Sequence, residues 1–272
     1  MKTLKTLLLA LPILLLVLIQ VLPVGIMLLT SLKSPLVFLE QGPLSLTGFS
    51  LENYERVVLK DGFLQSIWTS AVVALSSALA AVGVGSLAAY GLTRLEVTGR
   101  RWITLSFLLA RLLPPVALAI PLFLLVKTLG LIDTRLGLVL AHTSFNLPFA
   151  IWLLLPFFEG LPKEVEEAGA LDGCNRAQLF RIVVFPMALP GLMVAGIFCF
   201  LQSWNDFLFS LILAGSQTRT APLGVHGYMT GFGPEWGPMT AASSLILLPV
   251  FLFSFLLQRH IVSGLGAGAV KS

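Results

Sequence analysis

Long apolar runs separated by short polar connections dominate the pattern of this 272-residue chain. Six of these runs contain at most one charged side chain each. Each is long enough for a helix, which rises about 1.5 Å per residue, to cross a hydrocarbon core about 30 Å thick. The pattern therefore predicts six membrane-spanning helices, at about residues 7–31, 64–92, 102–126, 136–158, 188–213 and 238–259.

Composition supports an all-α, polytopic membrane protein with a single transmembrane domain over residues 1–272. Charged residues make up 11% of the chain and hydrophobic residues 57%, whereas soluble domains carry about 25% charged residues. The first run follows two lysines but is too long for a signal-peptide core, and no A-x-A site follows it, so we interpret it as a retained helix. A net charge of +4 in such a chain indicates no nucleic-acid partner, and the surroundings expected are a lipid bilayer.

Lysine and arginine positions predict the orientation. With six spans and the N-terminus in the cytoplasm, ten basic residues fall on the inner side and six on the outer side. The outer six are spread over longer connections, so the positive-inside rule favours cytoplasmic N- and C-termini.

The connection between the fourth and fifth spans, residues 159–186, is unusually charged and structured. It holds five of the thirteen acidic residues. Its pattern predicts two short helices, the first beginning near Pro162 and ending at Gly173 as a left-handed cap, the second beginning at Asn175 with an approximate capping box to Gln178. We expect the second helix to end at Pro186. An ordinary amphipathic connection on the membrane surface and a docking element for a partner both fit this pattern.

The same connection resembles the "EAA" loop of ABC importer permeases. The motif's Glu-Ala-Ala, glycine and Ile-x-Leu-Pro elements correspond in spacing to Glu167-Ala168-Gly169, Gly173 and Val183 to Pro186. In that family the loop is a coupling helix seated in a cleft of a cytoplasmic ATPase. The resemblance therefore implies an ATPase-coupling site, at Glu166, Glu167, Ala168, Gly169, Asp172, Gly173 and Pro186. The sequence of this connection departs from the motif at Gly169, Val183 and Phe185, which are all small or apolar replacements.

Further stretches extend the resemblance over most of the chain: "LENYERV", "AAYGLTRL", "LLPPVALAIPLFLL", "FNLPFAIWLL", "SWNDFLFSLIL" and "GLGAGAVKS". Together they resemble the shorter permease subunit of maltose- or trehalose-type sugar importers, which have the type I ABC importer permease fold. This implies a second permease, two copies of a cytoplasmic ATPase, an extracytoplasmic solute-binding protein and a sugar cargo. It also implies a location in the plasma (inner) membrane of a prokaryote. ATP with Mg²⁺ would be used by the ATPase, and no cofactor is expected on this chain.

The C-terminal tail, residues 260–272, is rich in glycine and alanine. Its composition predicts that residues 263–269 do not form a stable helix. A frayed terminus is the commoner outcome for such a segment. The family resemblance implies instead that Gly266, Ala267 and Gly268 contact the ATPase.

Several polar residues fall inside the predicted spans, where they are costly and usually face a partner or a cavity. One interpretation is contacts between helices, including hydrogen bonds from His142 and Asn146 or an ion pair of Arg111 with an aspartate. The other is a sugar pathway that combines hydrogen-bonding and aromatic groups. Its candidate residues are Asn146, Trp152, Trp204, Asn205 and Asp206.

Two other function classes predict different sequence features. An ion-gradient-driven secondary transporter predicts two related halves, and no internal repeat is evident. A membrane enzyme predicts clustered His, acidic or Cys residues, but the three histidines are dispersed and neither cysteine, Cys174 or Cys199, has the spacing of a metal or disulfide site. No catalytic residue is therefore expected on this chain. Because the GxxxxGK[ST] phosphate loop is also absent from the sequence, the chain is not expected to hydrolyse ATP itself.

Overall fold

The computed structural model describes the backbone of residues 2–268 and the side chains of residues 10–255. The described part is almost entirely helical, which confirms the all-α prediction, and adds one short antiparallel hairpin of β1 (Met229–Thr230) and β2 (Gly233–Pro234). In chain order the helices are α1 (Lys2–Ser31), α2 (Pro35–Gln41), α3 (Glu52–Glu55), α4 (Phe63–Arg94), α5 (Arg100–Leu112), α6 (Pro115–Thr128), α7 (Arg135–Glu159), α8 (Lys163–Leu171), α9 (Arg176–Gln178), α10 (Phe185–Trp204), α11 (Leu208–Leu213), α12 (Ala221–His226) and α13 (Trp236–Gly268). Two π-helical segments, Arg56–Lys60 and Leu179–Val184, are inserted among them.

Within the described residues, five continuous helical stretches are long and apolar enough to cross a membrane. They are Ala10–Ser31, Phe63–Arg94, Arg135–Glu159, Arg176–Trp204 and Trp236–Phe255. The predicted third span is instead two helices, α5 and α6, which meet at an angle of 96°. The break falls at Leu113 and Pro114 because Pro114 and Pro115 lack the N–H groups that would continue α5. Counting this bent pair as one span gives six.

The predicted fifth span, 188–213, also differs from the structure. Helix α10 ends at Trp204, residues 205–207 are non-helical, and α11 is a separate short helix. At its other end, α10 continues without interruption from α9 and the second π segment, so the helical stretch begins at Arg176. The stretch is therefore displaced towards the N-terminus relative to the prediction.

The chain forms two compact units. The first comprises residues up to Ile67 together with Ala221–Leu248. Its core includes Val57, Phe63, Tyr228, Ala241 and Ala242. The Tyr54 hydroxyl lies 2.8 Å from the hydroxyls of both Ser31 and Ser244, which links α3 to α1 and α13. Most side chains described from α1 are exposed and apolar, as expected for a helix that faces lipid or another membrane subunit.

The second unit comprises Trp68–Thr220 together with residues from Pro249 onward. Its main core joins α4, α7 and α10 through small and aliphatic side chains, including Ala89, Leu154 and Ala195. A Cβ at Gly85 would lie 3.2 Å from that of Ala150, so α4 and α7 approach closely, as small residues permit in membrane helices. A second cluster in this unit joins α4, α6, α7 and α11.

The C-terminal segment is helical further than its composition predicts. Helix α13 continues through Gly268, so the expectation of a non-helical tail is wrong for residues 263–268. The side chains from residue 256 onward lie outside the described set. The expected ATPase contact of Gly266, Ala267 and Gly268 therefore lies outside what the structure describes.

Candidate functional site

The turn at the end of α8 is a Schellman motif. Gly173 has φ +89°, its N–H donates to the carbonyl of Ala170 at 3.1 Å, and the N–H of Cys174 donates to that of Gly169 at 3.0 Å. These two hydrogen bonds define the motif, and its left-handed position favours glycine. The predicted cap at Gly173 is confirmed. Pro162, expected at the first helical position, is the N-cap residue of α8.

The capping box that begins the next helix is also confirmed. The N–H of Gln178 donates to Asn175 Oδ1 at 2.9 Å, and the N–H of Asn175 donates to Gln178 Oε1 at 2.8 Å. The expectation that this helix ends at Pro186 is wrong. Pro186 is the second residue of α10, which directly follows the π segment. The π segment ends with a hydrogen bond from the N–H of Phe185 to the carbonyl of Phe180, five residues earlier instead of four. The helical chain therefore continues past Pro186 without a break.

Gly169 allows α8 to fold back onto the π segment. A Cβ at this position would lie 2.7 Å from Leu179 Cδ2 and 3.5 Å from Val183 Cγ2. Leu179 is buried by this contact and Val183 is half-buried. The glycine that replaces the motif's second alanine therefore has a packing role in this chain.

Glu166 is engaged within its own chain. Its Oε1 lies 2.6 Å from Arg94 Nε, and its Oε2 accepts from the Tyr90 hydroxyl at 3.0 Å. Arg94 Nη2 also donates to the carbonyl of Leu161 at 3.0 Å. The side chains of Arg94 and Glu166 are only 10% and 13% exposed. The carboxylate of Glu166 therefore links α8 to the end of α4, and the expected contact of Glu166 with the ATPase stays a prediction.

The outward side of α8 presents a mixed surface. Glu167, Ala168 and Asp172 are exposed, as an external contact requires, and so is Gly173. Leu171 is 89% exposed, although it is a large apolar residue beside the turn. Sequence reasoning missed Leu171, Arg94 and Tyr90. The signal for Leu171 was an apolar residue at the end of an otherwise polar helix.

A chain of polar groups joins three helices in the second unit. Asn146 Nδ2 donates to Ser203 Oγ at 2.8 Å and to the Cys199 carbonyl at 3.2 Å, and the Ser203 hydroxyl lies 2.8 Å from that of Ser77. Asn146 and Ser77 are fully buried and Ser203 nearly so. This arrangement supports the helix-contact interpretation for Asn146. Trp204 is likewise buried and stacks on Phe200 at 5.6 Å.

Asp206 and Asn205 lie in the break between α10 and α11. Asp206 Oδ2 accepts from the N–H groups of Phe209 and Ser210 at 3.0 and 3.3 Å, and so begins α11. The same oxygen lies 3.4 Å from His142 Nε2, which is too long for a well-formed hydrogen bond. Asn205 is exposed and donates to the carbonyl of Leu201. The structure thus places Asp206 at a helix end and not within a span.

Arg111 does not pair with an aspartate among the described side chains. Its Cζ lies 4.7 Å from the ring centroid of Phe145 and 4.9 Å from that of Phe149. Among the described residues, its buried Nη1 has no hydrogen-bond partner. A cavity of about 210 Å³ adjoins it and is lined by Phe107, Leu108, Arg111, Pro148, Phe149 and Trp152. Trp152, a predicted pathway residue, is therefore brought together with Arg111, while Asn146 and Trp204 are buried among packed helices.

A larger cavity, of about 510 Å³, lies along α4 and α10. Its walls are apolar, with Leu79, Met193 and Phe200 among them, and its polar side chain is Ser86. A polar cargo needs more hydrogen-bonding groups than this surface supplies. The cavity instead suits hydrocarbon chains or the apolar face of another helix.

One structured loop was not anticipated. Asp133 accepts four hydrogen bonds, from the N–H groups of Gly215, Gln217 and Thr218 and from the Thr218 hydroxyl at 2.7 Å. Its own backbone N–H donates to the Leu213 carbonyl at 2.9 Å. Partial burial raises the pKa of Asp133, but these hydrogen bonds outweigh that effect and hold its pKa below the ordinary value.

Comparison with known proteins agrees with this architecture. The chain is 36% identical over 245 residues to the trehalose transport system permease protein SugB of Mycobacterium tuberculosis, covering 89% of both chains. It is 33% identical over 226 residues to the diacetylchitobiose uptake system permease protein DasC of Streptomyces coelicolor, covering 83% of this chain and 82% of that one. Its fold matches a chain in the crystal structure of a bacterial ABC transporter involved in the import of the acidic polysaccharide alginate, with TM-score 0.80 and 20% identity over 95% of this chain and 96% of that one.

The family match covers most of the chain. Residues 81–266 match the family described as "Binding-protein-dependent transport system inner membrane component". The matched region begins within α4 and includes the Arg94–Glu166 pair, the α8 turn and the hydrogen bond between Asn146 and Ser203. The chain therefore belongs to the inner membrane components of binding-protein-dependent transport systems.

Proposed function

We propose that this chain is the permease subunit of an ATP-driven saccharide importer, and that α8 couples it to a cytoplasmic ATPase. It works beside a second permease, two ATPase copies and an extracytoplasmic solute-binding protein. The names of the relatives, which concern trehalose and diacetylchitobiose, support a saccharide cargo. The ATPase binds ATP with Mg²⁺ and hydrolyses it, and this chain supplies half of the translocation path. Both termini lie in the cytoplasm.

The arrangement of α8 carries the proposal. One side of the helix is fixed to α4 by the nearly buried Arg94–Glu166 pair. The other side presents Glu167, Leu171 and Asp172 to the surroundings. An element that transmits movement needs a rigid connection to its own subunit and a separate surface for the partner. Helix α8 has both, whereas an unattached connection on the membrane surface would need neither.

Substitution of Gly173 tests the coupling role. Space around Gly173 is open, with nothing within 4 Å of where a Cβ would lie, so the side chain of Gly173→Trp leaves the backbone into open space on the α8 turn. Gly130→Trp is the matched control, because Gly130 also has positive φ (+68°) and open surroundings. Both variants carry similar backbone strain, and only Gly173 lies on the α8 turn.

The measurement is mild affinity purification of each complex, followed by ATP-dependent uptake of labelled trehalose and diacetylchitobiose. We expect the Gly173→Trp complex to purify without the ATPase and its uptake to fall at least tenfold. The Gly130→Trp complex should keep the ATPase and the wild-type rate of uptake. Equal retention of the ATPase and of uptake in both variants would refute coupling through α8. If the wild-type chain purifies without any ATPase or second permease, an ion-gradient-driven transporter becomes the better assignment.

A further inference from the structure

An arginine at the end of α5, Arg111, lies beside the middle of the membrane-spanning helix α7. Phe145 and Phe149, which contact Arg111, lie 10 and 14 residues after the first residue of the 25-residue helix α7. They therefore flank its centre, about halfway through the hydrocarbon layer. Among residues 10–255 Arg111 forms no ion pair. A cation at this depth is costly and normally marks a pathway or a binding site.

The two phenylalanines stabilise the guanidinium only in part. Their faces attract the cation from distances of 4.7 and 4.9 Å. Ring faces do not accept the in-plane N–H groups, and Nη1 remains buried without an acceptor. Within the part of the chain that the structure describes, no oxygen therefore accepts from Nη1 in the plane of the guanidinium.

The cavity beside Arg111 has room for that acceptor and an aromatic wall next to it. Its volume is about 210 Å³, roughly seven times the share of a water molecule in the liquid. The rings of Phe149 and Trp152 stand 6.4 Å apart and nearly parallel, at 27°. Trp152 is 44% exposed, so its surface is available to a ligand entering the cavity.

From this geometry we infer that the cavity at Arg111 and Trp152 is a saccharide subsite on this subunit. The C–H face of one sugar ring lies against Trp152, and a ring oxygen substituent accepts an N–H of Arg111. Hydroxyl and carboxylate oxygens supply the same acceptor chemistry, and a carboxylate binds more tightly because the hydrogen bond is charge-assisted. A carboxylate from a second membrane subunit would satisfy Arg111 equally well but would not use the aromatic wall.

The inference rests on the proposed function, and the test separates the two. The assembled importer is prepared in lipid nanodiscs without its solute-binding protein, which would bind sugar itself. Saturation-transfer NMR then measures binding of trehalose as the neutral probe and digalacturonate as the acidic probe. Coupling to the ATPase is read separately, from the ATPase activity that the solute-binding protein stimulates in the wild-type complex.

Two variants and two controls decide the outcome. Arg111→Gln and Trp152→Leu are each expected to raise the half-saturating concentration of the bound probe at least tenfold. Lys127→Gln is the matched cation control, since Lys127 lies over Phe123 at 5.9 Å and outside the cavity. Trp102→Leu is the matched aromatic control, since Trp102 is exposed elsewhere on α5. Both controls are expected to bind as the wild type does.

Each result bears on the subsite. Tighter binding of digalacturonate than of trehalose identifies the acceptor as a carboxylate, and equal binding identifies it as a hydroxyl. Unchanged binding in Trp152→Leu overturns the subsite, and this variant suffices where Arg111→Gln does not assemble. If Arg111→Gln loses the second permease while Trp152→Leu still binds the probe, Arg111 is assigned to a contact between subunits. This result also overturns the subsite. Wild-type complexes that bind neither probe overturn the subsite, while intact stimulation of ATPase activity preserves the importer assignment.

Discussion

Arg94 of α4 and Glu166 of α8 form a nearly buried ion pair, with Nε and Oε1 2.6 Å apart, across 72 positions of sequence. The Tyr90 hydroxyl donates to the second carboxylate oxygen. Its ring packs against Phe158 and Phe180, at centroid distances of 6.1 and 5.1 Å. The end of α4 thus contacts the end of α7, helix α8 and the π segment together. A displacement of α8 would therefore be transmitted directly to α4 through these contacts.

Removing one partner of this pair should loosen α8. Glu166→Ala leaves the Arg94 guanidinium nearly buried and unpaired, which costs about 3–5 kcal/mol for fully buried pairs and less here because a tenth of each side chain is exposed. We expect faster hydrogen exchange in α8 and at least a tenfold loss of ATP-driven uptake. Glu164→Ala is the matched control, because Glu164 is an exposed acid in the same helix.

The charge-swapped double variant distinguishes the pair from its individual residues. Arg94→Glu combined with Glu166→Arg should recover part of the uptake that either single change removes, since the two groups meet each other. Equal loss in the single and double variants would count against a role for their direct contact.

Local signals explain which parts of α8 and its neighbours were predictable. The capping box at Asn175 and the cap at Gly173 depend on residues within a few positions, and both were predicted correctly. The partner of Glu166 was not, because Arg94 lies in another helix and no local pattern links the two. Hydropathy likewise detected the apolar stretch around Arg111 but not its 96° bend, which depends on how α6 packs beyond Pro114.

Gly169 should tolerate alanine better than valine. Alanine favours the helical conformation by about 1 kcal/mol relative to glycine. Its Cβ can be accommodated if the flexible end of the Leu179 side chain shifts. Valine adds branches towards both Leu179 and Val183, so we expect overpacking of about 1–3 kcal/mol. Thermal unfolding of the purified complex should show Gly169→Ala close to the wild type and Gly169→Val destabilised. Ala168→Val, at an exposed neighbouring position, controls for the lower helix propensity of valine.

The polar chain at Ser203 should contribute modestly to helix association. Ser203→Ala removes hydroxyl contacts with both Asn146 and Ser77. Hydrogen bonds between membrane helices average about 0.6 kcal/mol each, so we expect a loss of about 1 kcal/mol in detergent-induced unfolding. Ser144→Ala is the control, because the Ser144 hydroxyl bonds only the Ala141 carbonyl of its own helix. A changed uptake KM with unchanged stability would instead favour a cargo contact near Asn146.

Acid pH should release the loop that Asp133 holds. The pKa of this carboxyl is lower in the folded chain than in the unfolded chain. Its stabilising contribution is therefore complete above the unfolded pKa, about 3.9, and is lost as the pH falls through the folded value. Protonation weakens the acceptors that bind the backbone of Gly215, Gln217 and Thr218. We expect protease cleavage in residues 214–218 to rise below about pH 4 in the wild type.

Asp133→Asn should remove this pH dependence. The amide keeps one oxygen acceptor and replaces the other with an N–H₂ donor, which opposes the N–H groups of the loop. Cleavage in residues 214–218 should then be fast at neutral pH and should change little on acidification. Asp172→Asn, at an exposed position in the α8 turn, should retain the wild-type profile in this loop. A steep acid transition that persists in Asp133→Asn would assign the effect to another group, because the substitution leaves no carboxyl at this position to titrate.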